Sequence, residues 1–247
     1  MSLAALALVP GLAFGSFLNV VAARVPLKRS LVSPGSACMS CDAPIRWHDN
    51  VPVLSYALLR GRCRRCGVRI PPRDVAIELA TALLLVGCVL AFGFTPQAAA
   101  AGIACAAFVV VTATDLERRI VPNLVVLPAA AAVLALQTVS HPSPEWALGA
   151  IGAAGFLFAA ALAYPGGMGM GDVKLALLIG ALLGRTMPVG LMLGLLFAFV
   201  PSAVLLARHG MRARKMKIPF GPFLAAGAVV ALFAGHSILH AYLGALP

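Results

Sequence analysis

Apolar residues in this chain come in long uninterrupted runs, and those runs leave very few folds open. They fall at residues 1–23, 75–92, 96–114, 124–139, 146–164, 173–183, 188–207 and 222–243. A run of about 20 apolar residues is long enough to cross the hydrocarbon core as a helix. The first run lacks a basic start and continues into the motif Gly15-Ser16-Phe17-Leu18-Asn19, so it reads as a retained span rather than a cleaved signal. With 61% hydrophobic and 11% charged residues in 247, an ordinary soluble domain is excluded, because its surface alone needs about a quarter of its residues charged. The expected fold is therefore all-α: a polytopic membrane protein of about eight transmembrane helices.

The formal charge of +11 follows from topology. With the N-terminus outside, the inside segments hold ten basic residues from Arg24 to Arg73, then Arg118 and Arg119, Lys174, Arg208, Arg212, Arg214, Lys215 and Lys217. Only Arg185 is left outside, which is the asymmetry expected when Lys and Arg gather on the cytoplasmic side. Both termini are then external and the membrane is the cytoplasmic (inner) one. These basic residues sit in short loops without interleaved stacking aromatics, so nucleic acid is not the expected partner; the lipid bilayer is.

Between the first two spans, residues 26–73 are polar, basic and punctuated by proline, a segment too small to fold without a staple. Cys38-Met39-Ser40-Cys41 and Cys63-Arg64-Arg65-Cys66 supply one, as two CxxC knuckles 21 residues apart, near the spacing of tetrathiolate zinc ribbons. Disulfides compete, but the surrounding basic residues put this loop in the reducing cytoplasm, which favours structural Zn²⁺ on Cys38, Cys41, Cys63 and Cys66. Cys88 and Cys105 lie alone in apolar runs and read as small buried hydrophobes.

Two carboxylates interrupt the apolar pattern further on. Asp172 lies in Tyr164-Pro165-Gly166-Gly167-Met168-Gly169-Met170-Gly171-Asp172-Val173-Lys174, where the glycines allow close approach of another chain. Asp115 lies in Thr114-Asp115-Leu116-Glu117-Arg118-Arg119-Ile120-Val121-Pro122-Asn123. Ionisable groups beside hydrocarbon are costly and usually face a polar cavity or do chemistry. The span count puts both at the cytoplasmic face and at about one depth. A carboxyl pair can share a proton, one member acting as base toward water while the other polarises a carbonyl. The plainer readings are that Asp172 caps a helix and that Asp115 ends one beside Arg118 or Arg119. Glu117, flanked by arginines, reads as a solvated charge.

Together these segments resemble the type IV prepilin peptidases, or leader peptidases, intramembrane aspartic proteases with a GxGD signature. The resemblance covers nearly the whole chain. Gly169-Met170-Gly171-Asp172-Val173-Lys174 matches the second aspartate motif, and Asp115 with Ile120-Val121-Pro122-Asn123 matches the first. Pro219-Phe220-Gly221-Pro222-Phe223, Gly15-Ser16-Phe17-Leu18-Asn19, Asp49-Asn50-Val51-Pro52 and both CxxC pairs match as well. Where the family often has an acidic residue after the proline of the first motif, this chain has Asn123.

The resemblance implies that Asp115 and Asp172 are catalytic, without metal or covalent intermediate, and that Gly169, Gly171 and Lys174 support the loop. It implies cleavage of a short basic leader from prepilins and pseudopilins, the subunits of type IV pili and type II secretion. Retention of the cysteine loop implies a second activity, methylation of the new N-terminal residue with S-adenosylmethionine, for which Glu78 is the candidate; a first-turn acid favoured by the helix dipole is its structural alternative. The expected division is a methyltransferase part at residues 1–114 and a peptidase part at 115–247. An ion-coupled transporter is the rival class, disfavoured by the lack of an inverted repeat and by two aspartates at one face where a midplane site is expected. A non-catalytic zinc-bearing assembly factor is disfavoured by the presence of both aspartates.

Overall fold

A computed structural model of the chain describes residues 3–164, 168–210 and 218–244, with the side chains of Leu3, Ala4 and Ala5 not described. Pro165, Gly166 and Gly167 of the glycine-rich stretch, and Arg212, Arg214, Lys215 and Lys217 of the last basic segment, lie outside those residues. The described residues form helices α1 (Leu3–Arg24), α2 (Leu54–Leu58), α3 (Pro72–Phe92), α4 (Pro96–Arg118), α5 (Asn123–Ser140), α6 (Glu145–Ala163), α7 (Met170–Leu183), α8 (Met187–His209) and α9 (Gly221–Gly244). Strand-type pairing among them is limited to two isolated bridges, Ala37 with Pro44 and Arg62 with Arg69. Among the described residues seven segments are long and apolar enough to cross a membrane, so the chain is an all-α, multi-pass membrane protein.

It divides into two compact units, Met1–Gly93 and Phe94–Pro247. In the first, α1 packs along α3 through small residues. A Cβ on Gly11 would lie 2.9 Å from Ala82 Cα, and one on Gly15 would lie 2.7 Å from Glu78 Cα. Such contacts let two backbones meet where lipid offers no hydrophobic drive for association. The amide of Asn19 on α1 also donates to the Asp74 carbonyl on α3 at 2.9 Å.

In the second unit α4 is the hub. It has 78% of its apolar stretch buried, against 22–33% for the other membrane-length segments, and its buried face is largely alanine: Ala98, Ala100, Ala101, Ala104, Ala106 and Ala107. Thr95 caps its start, accepting the Ala98 N–H at 3.2 Å, with Pro96 at the first helical position. Arg119 closes it in the left-handed conformation, φ 54°, returning its N–H to the Asp115 carbonyl at 2.9 Å. The helix thus runs one turn beyond the end of the apolar run and carries Asp115 inside that last turn.

The 40-residue apolar segment Met170–His209 is one of the seven and holds two helices. Gly184, at φ 52°, breaks it, and its missing side chain admits the Trp146 ring, which a Cβ would approach to 2.9 Å. Past the break α8 turns back. Gly190 and Gly194 pack on α9 near Ala231 and Leu224, while Gly235 further along α9 packs on Thr186. The eight apolar runs are therefore eight helices in seven membrane-length segments.

α5 and α7 run side by side in the same direction, tied at one end by Lys174 Nζ donating to Asn123 Oδ1 at 3.0 Å and at the other by Gln137 Nε2 donating to the Leu182 carbonyl at 3.1 Å. α6 and α7 touch through Gly149 and Gly180, where a Cβ on Gly180 would overlap the Gly149 carbonyl. Backbone cannot rotate out of the way. Gly180→Val is expected to lower resistance to detergent unfolding by about 1–3 kcal/mol, read from the loss of helical signal in a titration with denaturing detergent. Gly155→Val on α6, where nothing lies within 4 Å of the new Cβ, is the matched control and is expected to be neutral.

Candidate functional site

One end of the second unit collects the C-terminal turn of α4 and the N-termini of α5, α7 and α9. Asp115 is 6% exposed there. Its Oδ2 accepts the backbone N–H of Gly221, the first residue of α9, at 2.9 Å. The first N–H groups of a helix have no partner within it, so this carboxylate satisfies one of them. Only glycine fits at 221: an added Cβ would sit 2.9 Å from the same oxygen and 3.1 Å from Val111 Cγ1.

Asp172 is the third residue of α7, which starts at Gly169 as its cap. Its backbone N–H returns to the Gly169 carbonyl at 3.1 Å, and its carboxylate accepts the Gly169 N–H, the reciprocal arrangement of an acid at the third helical position. Asp172 does bond back to the start of its helix, but from inside the first turn and not as its cap, since the helix begins at Met170 with Gly169 as the cap residue. That bond does not use up a carboxylate, however, and Asp172 also lies within electrostatic reach of Asp115. The two acids are brought to one end of one unit.

Gly169, Gly171 and Lys174 make distinct contacts around Asp172. Gly169 is the cap. Gly171 lets the start of α7 pack on Val121, whose Cβ would lie 2.8 Å from a side chain there. Lys174 braces α7 against α5 through Asn123, so the asparagine that departs from the family pattern serves as a neutral acceptor.

In the first unit the four cysteines converge, with all sulfurs within 4.8 Å of one another and Cys38 Sγ 3.8 Å from Cys66 Sγ. Two matching knuckles build the cluster. Cys38 N–H donates to the Ala43 carbonyl at 2.9 Å and Cys63 N–H to the Val68 carbonyl at 2.8 Å. Asp42 N–H returns to Cys38 and Gly67 N–H to Cys63, both at 2.9 Å, with Asp42 and Gly67 in the left-handed region at φ 51° and 72°. This winding turns backbone N–H groups onto sulfur. Those of Cys66 and Arg65 pull the Cys63 thiol down to about 6, and those of Ser40 and Cys41 lower Cys38. Against the Val68 N–H, which lowers it, burial and the neighbouring thiols push Cys66 up to about 11, as crowding of four sulfurs does. Four sulfurs this close with N–H donors around them are what a soft or borderline metal requires, so the residues present fit a tetrathiolate ion. Cys88 and Cys105 are buried in α3 and α4.

Glu78 on α3 is 8% exposed. Its Oε2 accepts the Val53 N–H at 2.8 Å, and the Ser16 hydroxyl bonds the same carboxylate. Asp49 is gripped by Arg64 through contacts of 2.7, 3.0 and 3.0 Å, which hold its carboxyl below the usual range. Neither the Val53 nor the Gly221 contact has a signal in the sequence, beyond the motifs in which Gly221 and Asp49 stand.

Comparison with known proteins decides the family. Residues 9–92 match the model of the bacterial peptidase A24 N-terminal domain, and residues 102–207 match that of the type IV leader peptidase family. The chain belongs to the type IV leader peptidase family. Among curated relatives, it is 33% identical over 241 residues to a prepilin leader peptidase/N-methyltransferase of Bacillus subtilis (strain 168), covering 94% of this chain and 95% of the relative. A protein of the same description from Burkholderia pseudomallei (strain 1026b) is 35% identical, covering 94% of this chain and 85% of the relative. Another from Myxococcus xanthus (strain DK1622) is 38% identical, covering 79% of this chain and 60% of the relative. No solved structure matches the chain. The two family regions fall one in each compact unit, with the cysteine loop and Glu78 in the leader peptidase family's N-terminal region and the carboxylate pair in its second.

Proposed function

We propose that this protein is a membrane aspartic endopeptidase that removes the leader from prepilins and pseudopilins and then methylates the new N-terminal residue. The observation that carries the reading is that Asp115 and Asp172 stand at one end of the second unit, within electrostatic reach of each other. In the reaction, the unprotonated carboxyl takes a proton from water as its oxygen bonds to the scissile carbonyl carbon. The protonated carboxyl gives its proton to the carbonyl oxygen. On collapse of the diol the C–N bond breaks, a diol hydroxyl returns its proton to the second carboxyl, and the first passes the water proton to the leaving amine. Gly221 N–H orients Asp115, and Gly169 N–H orients Asp172.

Residues 115–247 carry cleavage in this reading, and residues 1–114 carry methylation. S-adenosylmethionine supplies a methyl group when bound. Glu78, steadied by Val53 and Ser16, is the carboxylate available to receive a cationic partner, either the pilin amine or the sulfonium. Zn²⁺ on Cys38, Cys41, Cys63 and Cys66 orders the loop. The loop and the aspartates lie on the cytoplasmic side of the inner membrane, with the termini outside, in keeping with the distribution of Lys and Arg.

Incubating the purified protein with a prepilin and labelled S-adenosylmethionine tests the reading: a shortened, labelled pilin is expected, and an intact, unlabelled substrate overturns it. Stripping metal, or Cys63→Ser, is expected to lower label transfer onto a precleaved pilin by about tenfold or more while cleavage changes little, because binding energy of the ion is folding energy in so small a loop. Equal losses in both assays would show that the loop also positions the leader.

A further inference from the structure

Within the first unit a line of contacts runs from the second cysteine knuckle to Glu78. Arg64, between Cys63 and Cys66, holds Asp49 through both guanidinium nitrogens that face it, with the Asp49 side chain 11% exposed. Asp49 belongs to the 3₁₀ turn Trp47–Asn50, and in that turn the His48 carbonyl accepts the hydroxyl of buried Ser55 at 3.0 Å. Ser55 N–H donates back to the Val51 carbonyl at 3.0 Å. Between those two residues the chain is pinched so that Val53 takes φ 60°, a region a β-branched residue enters only when its surroundings force it. The result aims Val53 N–H at Glu78 Oε2, 2.8 Å away. From the other side, Gly61 at φ 64° lies under the Tyr56 ring of α2, and its carbonyl takes the Ile70 N–H at 2.8 Å, beside the bridge that closes the knuckle.

We infer that Arg64 and Asp49 form a positioning pair that carries the order of the four-cysteine loop to Glu78 through the strained turn at Val53. The inference rests on the reading of Glu78 as the carboxylate of methyl transfer. An ordinary exposed ion pair is worth little. This one is bidentate, with the Asp49 side chain 11% exposed although that of Arg64 is 59% exposed, and it is placed where it fixes a backbone donor rather than merely joining two surface side chains. It gives the metal loop a route to the membrane helix that carries Glu78 without any cysteine approaching that carboxylate.

The test uses the full-length, metal-loaded protein in lipid nanodiscs and reads two quantities: hydrogen exchange at the Val53 amide, and kcat and KM of methyl transfer to a precleaved pilin. Arg64→Ala and Asp49→Asn are each expected to raise Val53 exchange by about tenfold, as is metal removal from the wild type. Both substitutions are expected to lower kcat more than KM, and to cost less than about twofold when added to Glu78→Gln, because residues acting through one group are not additive. Unchanged protection of Val53 in Asp49→Asn, whose side chain is no cysteine neighbour, overturns the inference even if Arg64→Ala disturbs the metal. So do losses that multiply with Glu78→Gln. If Glu78→Gln itself methylates at the wild-type rate, the reading of Glu78 fails, whereas the exchange at Val53 still reports whether the coupling exists.

Discussion

Asp172→Asn is expected to reduce leader cleavage by at least about 100-fold, the range in which removal of a positioned acid or base falls. Asparagine keeps the size of the side chain, and its carbonyl oxygen can still accept the Gly169 N–H that holds Asp172. The start of α7, its packing on Val121 and the Lys174 brace to Asn123 should therefore survive. What the variant lacks is the ability to take up and release a proton, so loss of rate with retained folding assigns the defect to chemistry. A gel assay on a prepilin reads cleavage. Label transfer to a precleaved pilin reads the other activity and is expected to stay within about twofold, since the proposed division assigns the two reactions to different carboxylates. Cleavage at the wild-type rate would falsify the aspartic protease reading.

A second large effect is expected at a residue with no ionisable group. Gly221→Val places a branched side chain where even a Cβ would stand 2.9 Å from Asp115 Oδ2. Both neighbours at that point, the carboxylate and Val111, belong to the buried hub helix and have little room to yield. Either the Asp115 carboxylate turns away or the start of α9 moves, and both break the 2.9 Å hydrogen bond from Gly221. Misplacement of a catalytic group by about 1 Å can cost about 100-fold, so cleavage should fall to nearly the level of Asp172→Asn. The two variants are distinguishable by stability. Gly221→Val should also lower the unfolding midpoint, since overpacking costs about 1–3 kcal/mol, whereas Asp172→Asn should not. A Gly221→Val protein that cleaves normally would mean that the bond to Asp115 is incidental.

The parts of this molecule that could be read from its sequence are those that depend on periodicity and parity. Eight apolar runs gave eight helices, even where one membrane-length segment holds two of them, because Gly184-Arg185 marks the turn between α7 and α8. Counting crossings put Asp115 and Asp172 at the same end, since an even number of helices between them returns the chain to the face it left. CxxC spacing foretold the convergence of four sulfurs, because such a knuckle is a local structure. Contacts made by backbone N–H groups across long separations had no such signature. Gly221 and Asp115 are 106 residues apart, and nothing in the residue types says which helix start will meet which carboxylate. Val53 was hidden for another reason: valine is among the last residues expected at positive φ, so the turn that feeds Glu78 looks like extended chain. The end of α4 was also misleading by one turn, since hydropathy stops at Thr114 while the helix continues through Asp115 to Arg118.

The shortness of α7 bears on how a substrate could be served. Its 14 residues rise about 21 Å, roughly 9 Å less than a hydrocarbon core of about 30 Å. Asp172 stands at the first turn of this helix, so water and a scissile bond can meet below the level of the headgroups. A pilin precursor whose cleavage point adjoins its own apolar helix need not be drawn out of the lipid to be cut. About 9 Å of helix is about six residues, and lifting six apolar side chains into water costs about 2–4 kcal/mol on a membrane-insertion scale. Cutting at that depth would replace mechanical extraction with lateral diffusion, a precursor reaching the carboxylates by sliding in the plane of the bilayer to one end of α7, a helix whose residues are mostly buried among its neighbours.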